Sequence, residues 1–334
     1  NVSIIDSNTM TLSSINVDGE IDIATLTGDL SLTSVVTTTN ATADAISLNA
    51  GKNTAAGTST GGNILISGGS INFGAGGTAK LYSGDVSDST GLAALVGSGS
   101  GRFRYNADET TDFSSGGWTA LNTGLNAIYR EQPIITVTPS SGQTVTYGSG
   151  PGSVYTHSGY LNGDSSTSTS GTVTWTLSGT LSTAGYATVG THDIIYSSGL
   201  TNSLGYGFSD NAGSTDELTV NQRSITISGI TATNKVYDAN TTATVDTTGA
   251  AGWLAGDTVT VSASGLFDNK NVGTGKTVTL TSTYGGADSG NYSITDQATT
   301  TANITQRAIT ISGITAENKV YDANRTATVD TTGA

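Results

Sequence analysis

Residues 225–250 read ITISGITATNKVYDANTTATVDTTGA, and residues 309–334 read ITISGITAENKVYDANRTATVDTTGA. The copies lie 84 residues apart and differ only at Thr233/Glu317 and Thr241/Arg325. The Gln222-Arg223 before the first copy recurs as Gln306-Arg307. A fainter copy sits upstream, where Tyr147 follows Ile135 by the same twelve residues that separate Tyr237 from Ile225 and Tyr321 from Ile309. A period of 84 to 90 residues is too long for a solenoid coil and suits a small globular bead. Beads are expected at 133–222 and 223–306, with 307–334 the truncated start of the next. Their joins hold no glycine-rich linker, which favours a stiff rod over a flexible tether.

Within the second bead, Ile225 and Ile227, Val259 and Val261, Val278 and Leu280, and Tyr292 and Ile294 alternate with mostly Thr and Ser. That period suits antiparallel sheet with one face in water. Gly256-Asp257, Asp268-Asn269 and Gly285-Gly286 mark the turns. Val173 to Leu177, His192 to Tyr196 and Leu218 to Val220 repeat the pattern in the first bead. Sandwich and β-grasp-like packings both satisfy it.

Residues 1–105 differ. Short aliphatic pulses, among them Ile21/Ile23, Leu30/Leu32, Ile46/Leu48, Ile64/Ile66 and Ile71/Phe73, are separated by Gly, Asn, Asp and Ser. They predict a parallel, right-handed β-helix shaft, in which each strand bonds to the next rung and inward side chains stack. An ordinary β-sandwich is the competing reading. Residues 106–132 are expected to cap and join, with Leu121, Leu125, Ile128 and Tyr129 on one face of a short helix. The expected fold class is all-β: a β-helix followed by tandem small beads.

Composition narrows the function. Ser and Thr supply 102 of 334 residues and Gly 45, which disfavours helical bundles and coiled coils. Twelve Lys and Arg against 26 Asp and Glu give a net charge of −14, so no nucleic-acid partner is expected. With two histidines and no cysteine, thiol catalysis and disulfides are excluded. No apolar run approaches the roughly 18 to 20 residues of a membrane-spanning helix. The chain opens at Asn1, as a mature secreted product or a fragment would.

Candidate sites are few. Arg102, Arg104 and Tyr105, with Arg130, form the densest basic-aromatic patch; it reads as a cap or junction, or as a cradle for a glycan. His157 and His192 are expected at surface or turn positions, since adjacent His192 and Asp193 point to opposite faces of a strand. Asp6, Asp18, Asp22, Asp29 and Asp44 are spaced singly, as solvated acids are, and no catalytic pair is read from them. Asp238, Asn240, Asp246, Asp257, Asp268, Asp288 and Asp322 lie in turn-rich stretches. They leave structural calcium open without an EF-hand loop, and no other cofactor is expected. Tyr147, Tyr237 and Tyr321, with Asp238 and Asp322, read as a structural motif: a strand-end ring that packs and an acid that bonds the next turn. Lys235 near Asn240 also raises an intramolecular isopeptide bond.

The Asn-Lys-Val-Tyr-Asp-Ala-Asn stretches at 234–240 and 318–324 resemble the signature of the YDG repeat, whose usual third letter is glycine rather than Ala239 or Ala323. Residues 134–148 resemble the start of the related MBG repeat, and residues 60–105 resemble the last rungs of a haemagglutinin-type β-helix. Together they resemble filamentous-haemagglutinin-like adhesins of Gram-negative bacteria, released by two-partner secretion. The resemblance implies a noncatalytic stalk, secreted and held at the cell surface or in biofilm matrix. It also implies an outer-membrane transporter that recognises a region absent here. A carbohydrate-binding adhesive module for matrix or host polysaccharide is the alternative, and polymer assembly through the last bead a third reading.

Overall fold

The computed structural model describes residues 1–215 and 217–334. The chain is nearly all-β, with 43% of residues in strands and 3% in helices. Two compact units are present. The first comprises Asn1–Val145, Pro151–Gly179 and Thr191–Thr219, and the second Thr146–Gly150, Thr180–Gly190 and Val220–Ala334.

In the first unit, the aliphatic pulses become strands dealt in turn to three parallel sheets. One sheet runs Val2–Asp6, Ile21–Thr25, Ile46–Ala50, Thr78–Ser83. The second stacks Met10–Leu12, Leu30–Leu32 and Ile64–Ile66, and the third Ile15–Val17, Val35–Thr38 and Ser70–Asn72. Register aligns like with like: Ile23 on Leu48 on Leu81, Leu12 on Leu32 on Ile66, Ile15 on Val36 on Ile71. Three-residue pulses suffice because each inward side chain packs on its neighbours along the ladder as well as across the interior. Ile21, Ile23, Ile46, Leu48 and Leu81 are wholly buried there.

The expected helix over 121–129 is a strand instead. Gly124–Tyr129 pairs in parallel with Thr78–Ser83 and, on its other edge, with Phe103–Arg104. Gly124 has φ 111°, outside the helical region. Leu125, Ala127 and Tyr129 join the main core, while Ile128 packs on the opposite face with Tyr82, Ala107 and Phe113. A strand covered on both faces loses its two-residue alternation, and the leftover apolar pattern mimics a helical one. The α-helix of this unit is a single turn, Leu92–Val96, anchored by buried Leu92 and Val96. The unit continues with Ile134–Pro139 between Tyr155–Ser158 and Gly207–Asp210, and a long hairpin of Thr169–Leu177 with Ile194–Asn202.

The second unit carries a five-stranded sheet in the order Lys235–Val236, Thr299–Thr305, Gly273–Gly285, Thr260–Phe267, Thr242–Ala243. Arg223–Thr226 pairs in parallel with Tyr292–Thr295. Ile225, Ile227, Ile230, Val278, Leu280 and Ile304 are buried. Among the described residues, no helix is long and apolar enough to cross a membrane.

Candidate functional site

The repeated motif folds around an ammonium. Lys235 Nζ donates to Asp238 Oδ1 at 2.8 Å, to the carbonyl and Oδ1 of Asn240 at 2.9 Å each, and to the Thr242 carbonyl at 3.0 Å. Asn240 returns its backbone N–H to Asp238 Oδ1 and its amide to Oδ2. The Phe267 ring lies 5.5 Å beneath the ammonium. The hydrogen bond from Lys235, followed by that from the Asn240 N–H, holds the Asp238 carboxyl below the usual carboxylate range. Four oxygens about one positive centre form the cage a turn would offer a cation, and here the lysine is that cation. Asn240 meets this ammonium through its side-chain oxygen, as a hydrogen-bond acceptor. Ala239, at the letter where the resembled signature has glycine, sits at φ 64°, and Ala323 at φ 66°. This left-handed conformation suits glycine and costs an alanine about 1–2 kcal/mol.

The three motif tyrosines differ in surroundings. Tyr147 is wholly buried in the second unit. Its hydroxyl donates to Asp257 Oδ2 at 2.6 Å, and its ring meets Tyr292 and Tyr186 edge-on at 5.3 and 6.0 Å. The Tyr292 hydroxyl donates to the same carboxylate oxygen. Burial, then the bond to Asp257, pushes the Tyr292 phenol up to about 12 and Tyr147 higher still. Tyr237 is half-buried, and Tyr321 is 91% exposed. The Asp257 seat escaped the sequence reading because its partners lie 35 and 110 residues away.

In the basic-aromatic patch the arginines turn onto the chain's own carbonyls. Arg104 is buried and donates to the carbonyls of Thr119, Ala120, Gly101 and Phe103. Arg130, also buried, bonds those of Ala50, Thr60 and Gly62. Arg102 donates to the Thr123 carbonyl. Tyr105 stacks on Tyr129 at 5.6 Å and donates to Asp164 at 2.9 Å, a carboxylate that also accepts from Tyr206. Guanidinium groups thus serve backbone carbonyls of loops and strand ends in place of water. His192 is buried too, its Nδ1 2.7 Å from the Ser178 carbonyl, so the expectation of a surface role fails for it. His157 sits half-buried among Tyr155, Tyr160 and Phe208.

The scattered acids converge in part. Glu20, Asp22, Asp44 and Glu109 line one groove with Lys80 and Tyr82. Asp44 pairs with Lys80 at 2.6 Å and Asp22 with Lys52 at 3.6 Å, which spends these carboxylates on lysines. The turn acids raised for calcium are similarly engaged: Asp268 with Lys276, Asp246 with Thr248, Asp288 with the Thr258 N–H. Among the described residues, no cluster of three or more His, Cys, Asp or Glu is placed to hold a metal. A separate cleft of about 500 Å³ in the first unit is lined by Trp118, Tyr196, Tyr206, Phe208, Asn106 and Gln132.

These features define a repeat-bearing all-β chain whose signature is a turn locked by its own lysine. Residues 221–302 match the YDG domain family, and the chain contains a YDG domain there. Comparison with curated proteins and with solved structures gave no match.

Proposed function

We propose that this chain is a noncatalytic stalk segment of a secreted bacterial adhesin, held at the cell surface or in the biofilm matrix. Its residues 1–105 serve as a β-helical shaft and its repeats as spacer beads. The observation that carries the reading is the dealing of successive strands to three parallel sheets with matched aliphatic ladders, an arrangement that adds length rung by rung. The YDG domain, the lysine-capped turns and carboxylates engaged within the chain accord with it. On this reading the beads are a YDG-like and an MBG-like repeat, the parent is filamentous-haemagglutinin-like, and an outer-membrane two-partner transporter exports it. Exchanging the segment in its parent protein for an unrelated β-repeat spacer of equal length tests the proposal. Attachment should survive the exchange; its loss would assign binding to the segment itself.

One observation favours the carbohydrate-binding alternative. The cleft beside Trp118 offers aromatic faces and amide groups, the chemistry that stacks on a sugar and bonds its hydroxyls. A glycan array probed with the purified chain separates the two: the stalk reading expects no bound glycan, and the alternative expects one whose binding Trp118→Ala removes.

A further inference from the structure

The seat around Tyr147 has an unfilled counterpart around Tyr237. Both tyrosines begin alike, the N–H of Tyr147 donating to the Asn221 carbonyl and that of Tyr237 to Thr305, each at 2.9 Å. Beyond that point they diverge. Tyr147 is closed in by three groups: Asp257, Tyr292, and Tyr186 from the segment Thr180–Gly190. That segment is itself fixed where Asp288 accepts from Thr183 and the Asn291 amide oxygen accepts the Val189 N–H at 3.0 Å. Leu254 comes so close to Gly148 that a Cβ there would lie 2.6 Å from its Cδ1.

Tyr237 has only the near half of such a seat. It lines an opening of about 590 Å³ with Asn271, Val272, Gln306, Arg307 and Ile309. Asn271 and Val272 belong to the tip between Thr260–Phe267 and Gly273–Gly285, as Tyr186 belongs to the tip between the paired long strands of the preceding repeat. Gln306 and Arg307 repeat Gln222 and Arg223. Arg223–Thr226 has a parallel partner in Tyr292–Thr295, whereas residues 307–310 form no strand. Ile225 is 9% exposed and Ile309 80%. The counterparts of Asp257 and Tyr292 have no place within residues 307–334, which repeat only as far as Ala250.

We infer that the face formed by Tyr237, Val272 and Ile309 is the docking site for a complete further bead of this repeat, whose own aspartate–tyrosine pair would seat Tyr237 as Asp257 and Tyr292 seat Tyr147. The filled seat names the occupant's chemistry: a buried carboxylate for the phenol, a tyrosine edge for the ring, and a strand for residues 307–310. The inference needs only the repeat, and it stands whether or not the parent is an adhesin.

The test extends the full chain after Ala334 with a copy of its own residues 251–306, completing a bead. Nitration of tyrosines by tetranitromethane, read by peptide mass, and amide exchange at 307–310 are then compared in the two chains. Tyr237 should lose reactivity at least tenfold in the extended chain, and the 307–310 amides should gain comparable protection. Changing the added copy of the Asp257 aspartate to alanine should restore Tyr237 reactivity. An added bead that is folded by circular dichroism yet leaves Tyr237 as reactive as before overturns the inference. An unfolded added bead overturns it equally, because the same residues fold where Tyr147 fills their seat.

Discussion

Ile227 and Ile311 hold the same place in two nearly identical 26-residue stretches, yet the first is 1% exposed and the second 66%. The turn that follows is nonetheless the same in both. Lys319 reaches Asp322 at 2.9 Å and the Asn324 carbonyl and Oδ1 at 3.0 and 2.8 Å, as Lys235 does in the first copy. The short bridge of Thr231–Ala232 with Val245–Asp246 also recurs, as Thr315–Ala316 with Val329–Asp330. Local hydrogen bonding therefore survives where the core is missing. The motif is a self-contained turn, and burial of its isoleucines depends on strands supplied from farther along the chain.

The widest separation between the copies should come from the core. Ile227→Ala should cost about 2–5 kcal/mol in urea unfolding of the second unit, and Ile311→Ala no more than about 0.5 kcal/mol. Equal losses would mean that the second copy has found a core of its own. Next is the seat: Tyr147→Phe removes one of two donors to a buried carboxylate and should cost about 1–3 kcal/mol, against nothing measurable for Tyr321→Phe.

Alkali probes the same seat. The phenol of Tyr292 titrates at about 12, above its ordinary 10. Its stabilisation is therefore complete below pH 10 and is lost as the pH rises through 12. Unfolding of the second unit followed by tyrosinate absorbance should show this loss, and Tyr292→Phe should lessen it, leaving the share that Tyr147 contributes. The smallest effect should be the one the copies share. Lys235→Met and Lys319→Met should each raise the neighbouring aspartate, Asp238 or Asp322, back toward the ordinary carboxylate range by NMR titration. A shift in only one copy would show that the turn leans on its surroundings after all.

What the sequence disclosed follows the same division. The repeat, the all-β class and the short strands of the first unit were legible because each rests on local pattern: a near-exact copy, turn residues, and aliphatic pulses such as Ile21/Ile23 and Ile46/Leu48. The strand at Gly124–Tyr129 was not, because burial of both faces erased its alternation. Arg104 and Tyr105 read as a cap or junction, or as a glycan cradle, and the choice stayed open because the carbonyls that receive Arg104 come from loops 15 and 16 residues away as well as from its own turn. Asp22 and Asp44 looked dispersed until parallel strand pairing brought them to one groove with Lys80.

Two phenols sharing the Asp257 carboxylate make a fastening without a counter-ion. Attraction between a buried carboxylate and hydroxyl dipoles at hydrogen-bond distance is barely screened by dissolved electrolyte, whereas the half-exposed Lys235–Asp238 pair is open to it. In brine the turn should loosen before the seat does.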